Sequence, residues 1–293
     1  MGSGHLTLFS VAVPVASASP PSIVTIPIQV AHISAGTVSY RSDGNGRPLV
    51  LIMGFGGSQD AWTPNFVNAL AKRRRVIIFD NAGVGQTTMP SGSLTISAMA
   101  DQTAALIKTL DLHRPDVMGW SLGGMIAQAL AVRHPSDVRR LVLCSTVLGN
   151  GNATKPSSTA SFGLYESAVS NNVNALMSWI FPPRRLATDS TRYLEAVTKY
   201  PNFYLPSPAA DRAQYEAANG WMNGDEQAGH GRIDVPTLIG HGADDAIFSP
   251  TNARKLGRAI TGAKVVIYPD AGHAFMMIQY ARAWAARVNA FLS

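Results

Sequence analysis

Charge and cysteine are both scarce in this chain of 293 residues. Asp, Glu, Lys and Arg make up 14% of it, against about 25% in an ordinary soluble domain. So thin a charge density, beside an ample apolar fraction, excludes a disordered chain and a nucleic-acid-binding domain built on dense Lys and Arg. The net charge is +6, but the basic residues are dispersed. Only Lys72-Arg73-Arg74-Arg75 forms a run, and it reads as a solvated helix end. The single cysteine, Cys144, excludes an intrachain disulfide and a cysteine-based zinc site. It ends an apolar strand and reads as an inert core thiol. His32, His113, His134 and His230 show no metal-ligand spacing, so no metal is expected. Neither a G-x-x-x-x-G-K-[ST] pattern nor a G-x-G-x-x-G after a strand occurs, so no nucleotide cofactor is expected, and no other cofactor is implied. No segment reaches the roughly 18 apolar residues of a membrane span.

Apolar residues make up 46% of the chain, enough for a sizeable core. Leu6 to Ala18 (LTLFSVAVPVASA) ends in small residues and has the length of a signal-peptide hydrophobic region. The positive segment that should precede it is missing, and Met1-Gly2-Ser3-Gly4 reads as an expression-tag remnant in its place. Residues 1–20 therefore stand apart from the fold, either as an export segment or as a loosely docked arm.

From there strands and helices alternate. Val30 to Ser42 is rich in β-branched and aromatic residues, and Asp43-Gly44-Asn45-Gly46 marks a tight turn. Pro48 to Met53 and Arg75 to Phe79 are continuous apolar strands, of the kind buried on both faces of a parallel sheet. Helical patterns over Asp60–Lys72, Leu94–Leu110 and Leu122–Val132 lie between strands that include Asp116–Trp120 and Arg140–Cys144. Further on come the strand Thr237–Gly240, a helix Asn252–Ile260, the strand Lys264–Tyr268 and a closing helix Ala281–Leu292. This order predicts an α/β fold with a doubly wound, mostly parallel sheet. Residues 150–232 break the rhythm. They contain no clear strand, read as helical from Leu164 to Trp179, and hold ten of the chain's 23 aromatic residues. They are expected to form a helical cap inserted into a core of residues 21–149 and 233–293.

Three loops at strand ends carry chemistry. Gly119-Trp120-Ser121-Leu122-Gly123 is a G-x-S-x-G between a strand and a helix. A serine on so sharp a turn needs small neighbours, and the turn lifts its hydroxyl above a helix N-terminus, where backbone N–H groups favour developing negative charge. Pro269 to Phe275 (PDAGHAF) offers His273, whose neutral ring is suited to take the serine proton. Gly240 to Phe248 (GHGADDAIF) offers two carboxylates, Asp244 and Asp245, either of which would orient that ring.

The chain order serine, acid, histidine is that of the α/β-hydrolases. The pieces LVLIMGFGGS, VIIFDNAGVGQT, VMGWSLGGMIAQALAVRHP, VPTLIGHGADD and PDAGHAF resemble that superfamily, in the cap-containing branch of esterases, C–C hydrolases and cofactor-free haloperoxidases. The resemblance runs from about Val30 to the C-terminus and is weakest across the cap. It implies Ser121 as nucleophile, His273 as base, and Asp245, four residues after His241, as the acid. It also implies an oxyanion hole from the backbone N–H groups of Phe55 and Leu122. His241 is expected to be structural, and Asp80 to hold its loop by hydrogen bonds. Two residues depart from the family pattern: Met53 stands where His usually precedes Gly54, and Ala82 where Arg is common. Both alter pocket walls.

The expected function is hydrolysis of a neutral, largely apolar carboxylic ester through an acyl-enzyme, with Trp120, Trp179 and Phe248 lining the substrate pocket. The partner is a small-molecule substrate, with no nucleic acid. Other readings of the same triad are C–C bond hydrolysis, lactone opening and perhydrolysis; a third is a ligand receptor on a hydrolase scaffold.

Overall fold

Apolar runs with no polar interruption have to be covered on both faces, and here they form the centre of an eight-stranded sheet. The computed structural model describes residues 22–293; the Leu6–Ala18 segment lies outside them. The strands are β1 (Gln29–Ile33), β2 (Gly36–Asp43), β3 (Pro48–Ile52), β4 (Arg75–Phe79), β5 (Asp116–Trp120), β6 (Leu141–Cys144), β7 (Thr237–Gly242) and β8 (Lys264–Tyr268). Their order across the sheet is β1-β2-β4-β3-β5-β6-β7-β8. The β1–β2 and β2–β4 pairs are antiparallel and all others parallel. Val50 pairs with Ile77 on one side and Val117 on the other, and all three are fully buried.

Helices cover the sheet: α1 (Pro64–Ala71), α2 (Ile96–Thr109), α3 (Leu122–Arg133), then α4 (Ser158–Val169), α5 (Val173–Ile180), α6 (Pro183–Val197) and α7 (Pro208–Asn223), and finally α8 (Thr251–Ala259) and α9 (Ala281–Leu292). Thr95 caps α2, its hydroxyl accepting from Ala98 N at 3.0 Å. The Val30–Ser42 stretch forms a hairpin of two strands joined through Ser34 and Ala35, with Gly36 at a φ of 126° opening the second. Two expectations need correction. The Leu164–Trp179 helix is two helices. Asn171 takes a left-handed φ of 53°, and Asn172 caps the second helix by accepting from Ala175 N. Nor is the basic run simply a solvated helix end. Lys72 and Arg73 are exposed, but Arg74 is buried. It donates to Asp116 at 3.2 Å and to the carbonyl of Asn289 in α9, while Arg139 binds the same carboxylate at 2.8 Å.

The insertion between β6 and β7 docks on loops that follow other strands. Tyr193 OH donates to Ala61 O at 2.9 Å and Tyr200 OH to Trp62 O at 3.0 Å, both after β3. Gln214 reaches Ala82 O after β4, and Ala274 N after β8 donates to Ile180 O. The insertion thus lies over the carboxyl ends of the strands, where open α/β sheets bind ligands.

The N-terminus of α3 comes unusually close to β3. A Cβ on Gly123 would stand 2.1 Å from Ile52 O, a backbone atom that cannot swing aside. Gly123→Ala is therefore expected to cost about 1–3 kcal/mol, the usual toll of overpacking. Urea unfolding measures it, and an unchanged midpoint would contradict this packing.

Candidate active site

Ser121 lies between β5 and α3 with φ 56° and ψ −120°, a conformation that L-residues rarely hold. Hydrogen bonds keep it there. Its N–H donates to Cys144 O at 2.9 Å, and its carbonyl accepts from Thr146 Oγ1 at 2.8 Å and Gly124 N at 2.9 Å. The turn also requires Gly119, whose Cβ would fall 2.1 Å from Gly123 O. Ser121 is buried, and it lines a cavity of about 230 Å³. Leu122 opens α3, so its N–H points out of the helix's positive end. Among the described residues neither this N–H nor that of Phe55 meets a hydrogen-bond acceptor.

His273 faces the same cavity. Its Nδ1 lies 2.8 Å from Asp245 Oδ2, and both side chains are buried. The other Asp245 oxygen accepts from the backbone N–H groups of Ile247 and Phe248, each at 2.9 Å. His241, fully buried, brings its Nε2 to 3.1 Å from Asp245 Oδ2 and 2.8 Å from Phe248 O. Since the Phe248 carbonyl accepts only, Nε2 carries the hydrogen. Burial alone would raise the Asp245 pKa, but the two histidines outweigh it and hold the carboxyl well below the usual range. Asp244 turns outward instead and pairs with Arg184, which also binds Asp270. The His273 ring is flanked by Trp120 and Phe248, with ring centroids 5.5 and 5.7 Å away. Trp120 also donates its indole N–H to His273 O at 3.0 Å. In this structure the Ser121 hydroxyl makes no hydrogen bond to the imidazole; such bonds often tighten only when substrate arrives.

The structure thus brings Ser121, His273, Asp245 and the Phe55 and Leu122 N–H groups to one end of the sheet. Trp120 lines the 230 Å³ cavity, and Phe248 lines a smaller neighbouring chamber. Trp179 lines neither, which corrects its assignment to the pocket: its ring packs across Gly163, where a Cβ would meet it at 2.3 Å. Asp80 accepts from Ser39 Oγ, from the backbone and side chain of Gln59, and from Tyr204 OH, so it ties the loop after β3 to the insertion. Burial raises its pKa while those donors lower it. The role of Tyr204 had no sequence signal, because its partner is 124 residues away.

A serine raised on a strand-to-helix turn, with an aspartate-bound histidine at the end of the last strand, defines the architecture of an α/β hydrolase. The chain belongs to the α/β hydrolase fold family, whose sequence model matches residues 47–279. It is 32% identical over 241 residues, 80% of this chain and 90% of the other, to a Mycobacterium tuberculosis protein bearing the name of a non-heme bromoperoxidase, BpoC. It is 30% identical over 257 residues, 85% of this chain and 90% of the other, to a 2-hydroxy-6-oxo-2,4-heptadienoate hydrolase from Pseudomonas putida. An α/β hydrolase fold protein from Chitinophaga pinensis superposes with a TM-score of 0.80 at 24% identity, over 93% of this chain and 99% of that one, and shares the fold.

One buried carboxyl beside the site escaped sequence reasoning, since no motif marks the insertion. Asp211, in the first turn of α7, is 1% exposed. Its Oδ1 has no hydrogen-bond partner among the described residues, and a Cβ on Gly56 would stand 3.8 Å from it. Burial raises its pKa from the ordinary 3.8 to about 6. The folded state therefore favours the neutral acid. That preference is fully present below the unfolded pKa and is lost as pH rises through the folded one. Asp211→Asn keeps the shape and cannot ionise. It is expected to exceed the wild type in stability by about 2 kcal/mol at pH 8 and to match it at pH 4. Urea titrations at both pH values test this, and an equal or lower stability at pH 8 would contradict it.

Proposed function

We propose that this chain is a serine hydrolase that cleaves a neutral, largely apolar carboxylic ester through an acyl-enzyme. The observation that carries the reading is that Ser121 and the Asp245-bound ring of His273 open onto one apolar cavity. In the proposed reaction Ser121 Oγ bonds to the ester carbonyl carbon as its proton passes to His273 Nε2. The oxygen that gains charge is held by the unengaged N–H groups of Phe55 and Leu122. Collapse breaks the bond to the alcohol oxygen, which leaves with the proton from His273. Water then attacks the acyl carbon, giving a proton to His273, and the carboxylic acid departs as Ser121 regains its hydrogen. Asp245 stays ionised throughout and fixes the ring's orientation. In this reading residues 150–232 act as a cap that keeps water from the reacting bond, over a core of residues 21–149 and 233–293.

The wall chemistry supports a neutral substrate. Neither chamber is lined by Arg or Lys. The Pseudomonas putida relative is named for a substrate that carries a carboxylate, and a buried carboxylate calls for a cation or a set of donors. That difference favours a neutral ester over the C–C bond reading.

Ser121→Ala should lower turnover by about four to six orders of magnitude, and Asp245→Asn by about four, with the fold retained. Asp244→Asn should stay within about threefold of wild type, because its carboxylate faces solvent and Arg184. A larger loss at position 244 than at 245 would reverse the assignment of the acid. Matched neutral and anionic esters of equal length test the substrate class: kcat/KM should favour the neutral series, and a preference for the anionic series would overturn the reading.

A further inference from the structure

The space around Ser121 is divided unequally. A chamber of about 230 Å³ and one of about 40 Å³ share four wall residues, Phe55, Ser121, Leu164 and Ile247. Of the two, His273 lines the large chamber only. Leu122, Met125, Met222 and Phe248 line the small one only.

We infer that the large chamber receives the alcohol part of the substrate and the small one its acyl chain, so that the enzyme's substrates are short-acyl esters of bulky apolar alcohols. This rests on the acyl-enzyme reading above. When the tetrahedral adduct on Ser121 collapses, the carbon–oxygen bond to the alcohol breaks and that oxygen takes the proton from His273 Nε2. Proton transfer needs the two atoms within about 3.2 Å. The breaking bond therefore points at the imidazole, and whatever lies beyond the oxygen extends into the chamber that the imidazole lines. The carbonyl oxygen points at the N–H groups of Phe55 and Leu122. Ser121 Oγ holds a third position on the carbon. The fourth, the acyl chain, is left with the chamber against Leu122 and Met125.

Volume then sets the sizes. A water-sized group needs about 10–15 Å³ by this measure, so the small chamber holds about three heavy atoms and the large one about fifteen to twenty. The inner wall of the small chamber is firm. Met125, Met222 and Phe248 are each at most 5% exposed. Phe248 stands edge-on to the His273 ring, so it cannot swing out without disturbing the base. Tyr215 closes another side, held by Ser161 at 2.9 Å and packed on Tyr165 at 4.6 Å. Half of the large chamber's wall residues come from the insertion, among them the aliphatic Leu176, Leu194 and Leu205.

Two ester series on the wild-type protein test the assignment. The first is 1-naphthyl esters with straight acyl chains of two to eight carbons. The second is acetates of primary alcohols of similar acidity, from ethanol through butanol to 2-phenylethanol and 2-(2-naphthyl)ethanol. We expect kcat/KM to fall at least tenfold between the propionyl and octanoyl esters, and to rise at least tenfold from ethyl to naphthylethyl acetate. Met222→Ala, which opens the small chamber, should move the acyl optimum to longer chains while the order within the acetate series holds. A preference for octanoyl over propionyl esters, or for ethyl acetate over its bulky homologues, would overturn the assignment while leaving the ester reading standing. Turnover of neither series would sink the ester reading and the chamber assignment together.

Discussion

Everything at this site hangs on the backbone of one residue, the serine that turns β5 into α3 with a positive φ. A conformation that L-residues avoid, and that costs about 1–3 kcal/mol, persists only where the surroundings hold it. Here the restraint comes from β6 and the loop after it, through Cys144 O and Thr146 Oγ1, and from glycines that let α3 approach β3 and β5 at backbone distance. The same turn brings the α3 N-terminus under the hydroxyl and frees the Leu122 N–H. The position of the Ser121 hydroxyl, the unengaged Leu122 N–H and the helix field are therefore consequences of one strained turn in the middle of a parallel sheet.

Around it the buried polar groups divide by how well they are satisfied. Asp245 sits among four donors, two backbone and two imidazole, and keeps its charge in spite of complete burial. Asp80 is likewise surrounded by donors and joins β2, the loop after β3 and the insertion. Asp60 pairs with Arg41, yet burial and the nearby Asp80 still raise its pKa to about 6. Asp211 has no such company. The carboxylate that holds the His273 ring is thus one of the two best supplied with donors, Asp80 being the other.

The order of strands and helices was legible because hydrophobic period and turn residues act locally. Arg75–Phe79, Lys264–Tyr268 and Ala281–Leu292 could be bounded from their own residues. The break at Asn171 was missed because it depends on one residue taking a positive φ inside a stretch of continuous propensity. Ser121, His273 and the Asp244–Asp245 pair stood out because each follows a strand in a glycine-rich loop. Which aspartate faces the ring needed the family spacing, since adjacent residues differ only in direction. Arg74, Tyr204 and Asp211 were beyond reach, because their surroundings come from segments far away in the chain. Trp179 misled for the same reason: an aromatic in the insertion can serve helix packing as well as a pocket.

Labelling tests whether Ser121 is an activated nucleophile without any knowledge of the substrate. Wild-type protein would be treated with a fluorophosphonate, digested, and the adduct mapped by mass spectrometry. Stoichiometric modification at Ser121 is expected, slowed by orders of magnitude when Asp245 is replaced by Asn. An unmodified Ser121, or an adduct confined to another serine, would contradict it.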